Sequence, residues 1–262
     1  MKKQPKKPEP NTYMSLGLSL GLCFGAALGT IFDDISMYIP IGMCLGLSIG
    51  TMIDFSIAKQ NKDSVVRHYD LLIEENNDPV HDSVQLSEYM DKWDGPDFIS
   101  ALETSLEKSV LEIGVGTGRL ALKVCGSCKH FTGIDISPKS VDRAKENLKT
   151  FDNAALICGD YMEYKFTGTF DIVYSSLTFM HISDTQTAIR KASRLLSSGG
   201  RFVLSTDKNQ NTVIDMNGRI LNIYPDTPDE IIKAIKNAKL TLHKQFETEF
   251  AHIFVALKEE KQ

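Results

Sequence analysis

A glycine-rich loop follows a short apolar run and has the residue types to bind a small ligand. The run Ser109–Ile113 (SVLEI) is typical of a buried strand, and Gly114, Gly116 and Gly118 follow it. Glycines at a strand-to-helix turn let the backbone approach a ligand and leave N–H groups free to bind it. Asp135 ends the next apolar run, 21 residues after Gly114, where a carboxylate can accept hydrogen bonds from both hydroxyls of a ribose. The combination predicts a nucleotide site.

A dinucleotide-binding dehydrogenase is the competing interpretation of this loop. Its fingerprint spaces the glycines as GxGxxG or GxGxxA, whereas here Arg119 occupies the position that should be small. Glu112 lies directly before the loop, and an anionic side chain is unfavourable beside a pyrophosphate but favourable beside an amino group. The loop therefore favours S-adenosylmethionine over a dinucleotide.

Alternating strands and helices are predicted to hold the loop in place. From Ser64 onward, apolar runs alternate with amphipathic stretches, which is typical of a parallel sheet with crossover helices. The predicted strands are 109–113, 130–136, 154–158, 170–175, 201–205, 240–247 and 251–257, and the predicted helices are 118–125, 138–148, 184–196 and 227–238. Ser137 and Thr227 are predicted N-caps, each followed by a proline. The last two strands are predicted to pair antiparallel, because little chain separates them.

Two segments interrupt this alternation and are predicted to lie over the carboxyl ends of the strands, where open α/β sheets bind ligands. Residues 64–106 are predicted to be helical, with a break at Trp93-Asp94-Gly95-Pro96. In residues 207–225, Asn217-Gly218 predicts a β-hairpin. Ser198-Gly199-Gly200 is predicted to end a helix before the fifth strand.

Residues 109–206 resemble a class I S-adenosylmethionine-dependent methyltransferase of the small-molecule type, and the resemblance extends more loosely to the C-terminus. It implies an α/β fold with a Rossmann-like, mostly parallel sheet that ends in an antiparallel hairpin, and S-adenosylmethionine as cofactor. The cofactor-binding residues that it implies are Glu112, Gly114, Gly116 and Gly118 at the methionine, Asp135 at the ribose, Ile136, Asp160, Tyr161 and Met162 at the adenine, Tyr69 over the methionine, and Ser175 after the fourth strand.

His181 follows the fourth strand, in the segment from which members of this family face the transferred methyl group. A histidine there could take a proton from an oxygen or nitrogen nucleophile near neutral pH, or it could be a structural residue that fixes the loop. The sequence lacks the Asn/Asp-Pro-Pro-Tyr/Phe motif of families that methylate amide or base nitrogens. One CxxC, at Cys125 and Cys128, has no second pair, so no metal site is predicted.

The first sixty residues contain two uncharged stretches, Tyr13–Phe32 and Ile35–Ile53, of 20 and 19 residues. This is about the length that a helix needs to cross a bilayer. Glycines recur at every fourth position, at 17, 21, 25 and 29 and at 42, 46 and 50, so they share one face of each helix. Such faces let helices pack closely in lipid. The pattern resembles a glycine zipper and predicts a transmembrane hairpin, with a homo-oligomer through the glycine faces as an option.

A cleaved signal peptide and a buried soluble hairpin are the alternatives for this region. The signal peptide is disfavoured because a second apolar stretch follows at once. Lysines at 2, 3, 6 and 7 before the first stretch, and Lys59 and Lys62 after the second, predict that both termini face the cytoplasm.

The sequence therefore predicts four segments: a basic disordered tail (1–10), two transmembrane helices (11–57), a linker and helical cap (58–108) and a methyltransferase domain (109–262). A net charge of −5 disfavours binding to nucleic acid. The predicted function is methyl transfer to a small or lipid-associated acceptor by a cytoplasmic domain held at the membrane. The alternative is a membrane-tethered module that binds or senses S-adenosylmethionine without turnover.

Overall fold

The protein is described by a computed structural model that covers residues 12–216 and 218–260. The predicted basic tail (1–10) and Asn217 of the predicted hairpin turn lie outside the described residues. The chain divides into two compact units, Met1–Val65 and Val66–Gln262. Each unit has its own organisation.

The first unit contains a pair of long apolar helices, α1 (Thr12–Ile31) and α2 (Ile35–Glu74). The last residues of α2, from Val66, belong to the second unit. The helix is longer than the predicted apolar stretch because no helix-breaking residue follows Ile53. At the start of α1, the carboxylate of Asp54 accepts hydrogen bonds from the backbone N–H groups of Tyr13 (3.2 Å) and Met14 (2.8 Å), which caps free donors of that helix.

The glycines of α1 and α2 pack against each other, as the zipper pattern predicts. Gly17 lies against Gly46 and Gly21 against Gly42, and a Cβ atom at any of them would overlap the backbone of the opposite helix. Both glycine faces are therefore occupied within one chain. A homo-oligomer through these faces stays a prediction.

The outer surfaces of the same two helices carry the large apolar side chains. Leu20 is 61% exposed, Phe24 62% and Leu45 58%. Both helices are long and apolar enough to cross a membrane by length and composition. An apolar outer surface around a glycine-packed interior is the arrangement expected of helices that face lipid.

The second unit is built on a seven-stranded sheet. Its strands are β1 (Ser109–Ile113), β2 (His130–Asp135), β3 (Ala154–Cys158), β4 (Phe170–Ser176), β5 (Leu196–Asp207), β8 (Leu240–Glu247) and β9 (Ala251–Lys258), and a separate hairpin pairs β6 (Val213–Met216) with β7 (Arg219–Asn222). The sheet order is β3-β2-β1-β4-β5-β9-β8. The first five of these strands are parallel, and β9 runs antiparallel to β5 and β8. The predicted fold class is confirmed.

The helices of this unit are α3 (Val84–Met90), α4 (Gly95–Leu102), α5 (Ala121–Val124), α6 (Pro138–Asn147), α7 (Thr185–Leu195) and α8 (Pro228–Asn237). Ser137 and Thr227 cap α6 and α8 as predicted, each by accepting a hydrogen bond from a backbone N–H three residues later. The predicted break at 93–96 is also observed, because Asp94 is the N-cap of α4.

Two predicted elements differ from the structure. The helix predicted at 118–125 begins only at Ala121, since Gly118 adopts a φ of 93° and its N–H closes a turn onto the carbonyl of Val115. Ser198-Gly199-Gly200 lies inside β5 rather than before it. The pairing of β5 with β4 is irregular there, with Gly199 at a φ of 73°.

Residues of β1 alternate between the two faces of the sheet, as expected of a strand buried on both sides. Val110 packs in a core that includes Phe98 of α4. Leu111 packs in the opposite core, with Ile189 of α7 and Ile231 of α8. The strand therefore has apolar support on both faces, and its carboxyl end carries the glycine loop.

Candidate cofactor site

The three loop glycines all adopt positive φ angles, of 81° at Gly114, 53° at Gly116 and 93° at Gly118. A Cβ atom at Gly114 would overlap the side chain of Thr178, whereas one at Gly116 would meet nothing within 4 Å. At Gly118 it would lie 3.3 Å from Leu148. Gly114 and Gly116 line an open cleft, and Gly118 packs toward Leu148 instead. Gly118 forms the turn and does not line this cleft, so its predicted ligand contact stays a prediction.

Asp135, at the end of β2, holds the glycine loop. Its Oδ2 accepts a hydrogen bond from the N–H of Gly116 and its Oδ1 accepts one from the N–H of Ser137, both at 2.9 Å. Burial raises the pKa of this carboxyl, and the backbone hydrogen bonds oppose that shift. Each carboxylate oxygen can accept a further hydrogen bond. Asp135 can therefore position the loop and bind ligand hydroxyls together.

The cleft beside the loop has a volume of about 160 Å³. Its walls come from the end of α2 and from the segment that begins in β1. Tyr69, Leu72 and Ile73 line the first wall. Glu112, Gly114 and Gly116 line the second. The first wall adds apolar surface to the polar backbone of the loop, as expected of a small-molecule site.

Hydrogen bonds to the start of α6 fix the end of α2. Asp70 Oδ1 accepts hydrogen bonds from the hydroxyl of Ser137 (2.6 Å) and from the N–H of Lys139 (3.2 Å). Lys139 also pairs with Glu74. Tyr69 is thus held over the cleft by its neighbour Asp70.

Glu112 is a buried acid at the floor of the cleft. Its side chain is 3% exposed, and the hydroxyl of Tyr174 donates a hydrogen bond to its Oε2 at 2.8 Å. Burial raises the pKa of Glu112 to about 8, against the opposing effects of Tyr174 and of Arg119. Near neutral pH this carboxyl is therefore protonated until a cation approaches it.

Arg119 and Asp94 form an ion pair at the same end of the cleft. The guanidinium donates to both carboxylate oxygens of Asp94, at 2.9 and 2.5 Å, and the hydroxyl of Ser176 donates to Oδ2 at 2.8 Å. Asp94 is fully buried. The carboxylate of Asp94 thus balances the charge of Arg119 close to Glu112. The Arg119–Asp94 pair also connects α4 to the glycine loop.

Two known sequence families match parts of this chain. Residues 111–204 match the family described as a methyltransferase domain, and residues 10–55 match the family of glycine zipper membrane proteins. This chain carries a methyltransferase domain.

Curated relatives match this chain over part of its length. A malonyl-[acyl-carrier protein] O-methyltransferase from Priestia megaterium is 33% identical over 105 residues, which cover 39% of this chain and 38% of the relative. The chain spans about half or less of the length of the first curated relatives it matches.

Solved structures share the fold of the methyltransferase domain. Magnesium protoporphyrin IX methyltransferase from Synechocystis, with bound S-adenosylmethionine, has a TM-score of 0.60 at 15% identity, and the match covers 76% of this chain and 97% of that one. The [4+2]-cyclase SpnF has a TM-score of 0.61 at 16% identity, with 75% and 96% covered. At these identities the likeness concerns the fold, and a cyclase among the matches means that the fold alone does not define the reaction.

Tyr69 and His181, 112 positions apart in the second unit, are joined by a hydrogen bond. The Tyr69 hydroxyl lies 2.9 Å from Nε2 of His181, with the rings edge to face at 5.6 Å. Burial, and to a lesser degree His68, lowers the pKa of His181 to about 4. The imidazole is therefore uncharged near neutral pH, and the nitrogen that could act as a base is engaged by Tyr69.

Three of the residues predicted to bind the adenine lie close to Asp135 along the chain or in the turn after β3: Ile136, Asp160 and Met162. Asp160 and Met162 lie in the turn after β3, which is tied to Asp135 by a 2.8 Å hydrogen bond from Gly159 N–H to the Asp135 carbonyl. Ile136 follows Asp135 and is half-buried. Asp160 Oδ1 accepts a hydrogen bond from the N–H of Met162 at 2.7 Å, so this carboxylate shapes the turn beside Asp135.

Tyr161 and Ser175 do not reach the cleft. The hydroxyl of Tyr161 donates to the carbonyl of Ala188 at 3.0 Å, and the ring lies in the core. Ser175 is fully buried and donates to the carbonyl of Ile113 at 2.7 Å. The family resemblance implied both as cofactor-binding residues, and in the structure their hydrogen bonds join elements of the domain.

Three residues of the site could not be recognised from the sequence: Asp70, Asp94 and Tyr174. Asp94 carried one signal, its place at a predicted helix break, which indicates a cap but not a partner for Arg119. Tyr174 alternates with Val173 on β4, and nothing in the spacing indicates which residue of β1 it faces. Among the residues that the structure describes, no group of three or more potential metal ligands occurs.

Proposed function

We propose that the chain is an S-adenosylmethionine-dependent methyltransferase whose cofactor binds in the cleft between the end of α2 and the glycine loop. The observation that carries this proposal is the convergence of Glu112, Gly114, Gly116 and Tyr69 on one cleft beside Asp135. The methyltransferase domain match supports it. S-adenosylmethionine would supply an activated methyl group on a sulfonium.

The protein's contribution to the transfer is positioning. Glu112 would bind the amino group of the methionine, Asp135 the ribose hydroxyls, and Tyr69 would cover the methionine from α2. Methyl transfer is a direct displacement that depends on alignment and on exclusion of water. The apolar wall at Leu72 and Ile73 would help to exclude water from the cleft. A dedicated base is therefore not required for an acceptor that arrives without a proton to lose.

Binding of S-adenosylmethionine is expected to release a proton near neutral pH. Glu112 is protonated before binding because burial raises its pKa to about 8, and the ammonium of the ligand would favour its ionised form. Affinity should therefore rise as the pH increases toward about 8. Calorimetry of the full-length chain in detergent, in two buffers of different ionisation enthalpy, measures the proton.

Glu112→Gln should bind more weakly and release no proton, whereas Glu107→Gln, at an exposed glutamate, should behave as the unaltered chain does. Absence of saturable heat at high micromolar S-adenosylmethionine would remove the basis of the proposal. Release of S-adenosylhomocysteine on addition of a membrane extract then distinguishes turnover from binding alone. Binding without such release would favour the sensing module over the enzyme.

We further propose that the helices α1 and α2 anchor the chain in a membrane, with the methyltransferase domain in the cytoplasm. The match to glycine zipper membrane proteins over residues 10–55 supports anchoring, as do the exposed apolar side chains of the hairpin. Lys59 and Lys62 follow the apolar part of α2, and basic residues favour the cytoplasmic end of a span.

A carbonate wash of membranes is expected to leave the full-length chain in the pellet, because two apolar helices resist extraction that removes peripheral proteins. Immunoblotting of pellet and supernatant measures the distribution, with a soluble cytoplasmic protein of the same cells as control. Recovery of the chain in the supernatant would contradict the spanning arrangement.

The acceptor we propose is a small or lipid-associated molecule. The relative from Priestia megaterium is named for O-methyl transfer, which supports an oxygen nucleophile. A membrane anchor would bring the site close to lipid-associated acceptors.

A further inference from the structure

Three buried side-chain nitrogens close to the cleft have no hydrogen-bond partner: Nδ1 of His68, Nδ1 of His181 and Nε of Arg219. Four such atoms occur in the described part of the chain, so most of them belong to this one group. A buried polar atom without a partner is costly and infrequent in a native protein. Three together indicate a place where a polar ligand completes the hydrogen bonds.

The three residues come from different elements that meet around Tyr69. His68 is its neighbour in α2, and the His68 and Tyr69 rings lie edge to face at 5.2 Å. His181 comes from the short turn after β4 and contacts Tyr69 on its other side. Arg219 comes from β7 and is close enough to His68 to lower its pKa, after the larger effect of burial. Because Tyr69 lines the cofactor cleft, the group lies beside that cleft.

Glu75 binds the two terminal nitrogens of the Arg219 guanidinium and leaves Nε–H without a partner. Its two carboxylate oxygens accept hydrogen bonds from Nη1 at 2.7 Å and from Nη2 at 3.0 Å. The Nε–H donor of Arg219 is left over, and it is buried. A guanidinium presents its donors in a rigid plane, so the Glu75 pair fixes the direction of Nε–H.

The hydrogen bond between Tyr69 and His181 determines which nitrogen carries the imidazole proton. Burial raises the pKa of Tyr69, so its phenol keeps its proton. If the phenol donates that proton to Nε2 of His181, 2.9 Å away, the ring proton lies on Nδ1, since a neutral imidazole has one donor and one acceptor nitrogen. His181 is then a hydrogen-bond donor toward a ligand, and its acceptor nitrogen is engaged.

These groups suit an acceptor that is an anion before it binds. Two of them, Nδ1–H of His181 and Nε–H of Arg219, are donors, and a neutral His68 can offer Nδ1 as either donor or acceptor. An alcohol or an ammonium would need a base to remove a proton. The two donors cannot serve as that base, and Nδ1 of His68 can do so only in the tautomer in which it is the acceptor. Building on the proposed function, we propose that His68, His181 and Arg219 form the acceptor-binding site, and that the acceptor is a carboxylate.

The reaction balances without a proton transfer. One carboxylate oxygen is held by the N–H donors, and a lone pair on the other oxygen forms the new O–CH₃ bond. The S–CH₃ bond breaks, and its electron pair stays on sulfur. The products are a methyl ester and neutral S-adenosylhomocysteine.

The test compares carboxylates with alcohols of the same carbon skeleton. Full-length protein in detergent is given S-adenosylmethionine with a labelled methyl group and octanoate, hexadecanoate or benzoate, or the matching octanol, hexadecanol or benzyl alcohol. We expect alkali-labile methyl ester from at least one carboxylate, and no ether from its alcohol. Methylation of an alcohol in preference to its carboxylate overturns the proposal. So does failure of all three carboxylates at millimolar concentration when calorimetry shows intact S-adenosylmethionine binding, whereas loss of that binding contradicts the proposed function instead.

Variants then assign the donors. Arg219→Gln should raise the KM for the carboxylate by about tenfold or more, with kcat and the affinity for S-adenosylmethionine little changed, and Arg219→Lys should recover part of the loss. Arg201→Gln is the matched control. Arg201 lies in β5 and, like Arg219, pairs with a glutamate, in this case Glu103. An equal effect of the Arg201 and Arg219 changes on KM would contradict the assignment.

His181→Asn and His181→Leu separate a donor from a base. The amide of asparagine can donate from near the position of Nδ1 but cannot take a proton. We therefore expect His181→Asn to retain most of the activity that His181→Leu loses, with both variants still binding S-adenosylmethionine. Equal loss of activity in the two variants would contradict the donor role.

Discussion

Replacing Asp94 with alanine is expected to lower the free energy of unfolding of the methyltransferase unit by about 3–5 kcal/mol. Asp94 is fully buried and accepts hydrogen bonds from Nη1 and Nη2 of Arg119, from the hydroxyl of Ser176 and from the N–H of Gly95. Alanine would leave the largely buried charge of Arg119 without its partner. Removing one member of a buried pair is costly because the remaining charge is desolvated and unpaired.

Urea unfolding followed by tryptophan fluorescence measures the effect. Trp93 is the one tryptophan of the sequence, and its indole N–H donates to Asp207 at 3.0 Å, so its emission should report unfolding of this unit. Asp91→Ala is a matched control at the same arginine. Its carboxylate lies 3.8 Å from Nη1 of Arg119 and its side chain is 30% exposed, so the loss should be below about 1 kcal/mol.

A double variant distinguishes the unpaired charge from a general packing defect. Asp94→Ala combined with Arg119→Met removes both charges, and the free energy of unfolding should recover in part relative to Asp94→Ala alone. A double variant as unstable as the sum of the two single changes would show that the pair is not energetically coupled. Binding of S-adenosylmethionine by the stable variants would then report what Arg119 contributes to the cleft.

The order of strands and helices could be predicted because it depends on local patterns. The apolar run at β1, the proline after Ser137 and the proline after Thr227 each act within a few residues. The glycines at every fourth position likewise predicted which helix faces pack together in the hairpin. In these places short-range sequence and final structure agree, as expected of an unfrustrated fold.

The side-chain pairs of the site could not be predicted, because they join residues distant in sequence. Asp70 meets Ser137 and Tyr69 meets His181 only after the sheet has brought α2 and the turn after β4 to one edge. The three loop glycines illustrate the same limit. Their spacing is uniform, yet Gly116 faces open space and Gly118 faces Leu148, and only the packing of α6 distinguishes them.

Asp135→Ala is expected to weaken S-adenosylmethionine binding by about 10- to 100-fold, because the lost charged hydrogen bonding is worth about 1.5–3 kcal/mol. The structure adds a second reason for a large effect. Asp135 accepts hydrogen bonds from the N–H groups of Gly116 and Ser137, so its removal also releases the backbone of the glycine loop. Calorimetry of the full-length chain in detergent measures the loss, and Asp152→Ala, at an exposed aspartate, is the control.

The two roles of Asp135 can be separated by changing the ligand as well as the protein. If the carboxylate binds the ribose, the unaltered chain should bind adenosine more tightly than 2′-deoxyadenosine, and Asp135→Ala should bind the two nucleosides equally. If the carboxylate only holds the loop, Asp135→Ala should weaken both nucleosides by the same factor and preserve any difference between them. Thermal unfolding in the absence of ligand reports the loop role directly, since the hydrogen bonds to Gly116 and Ser137 exist without ligand. A difference between the nucleosides that survives in Asp135→Ala would assign the ribose hydroxyls to another residue.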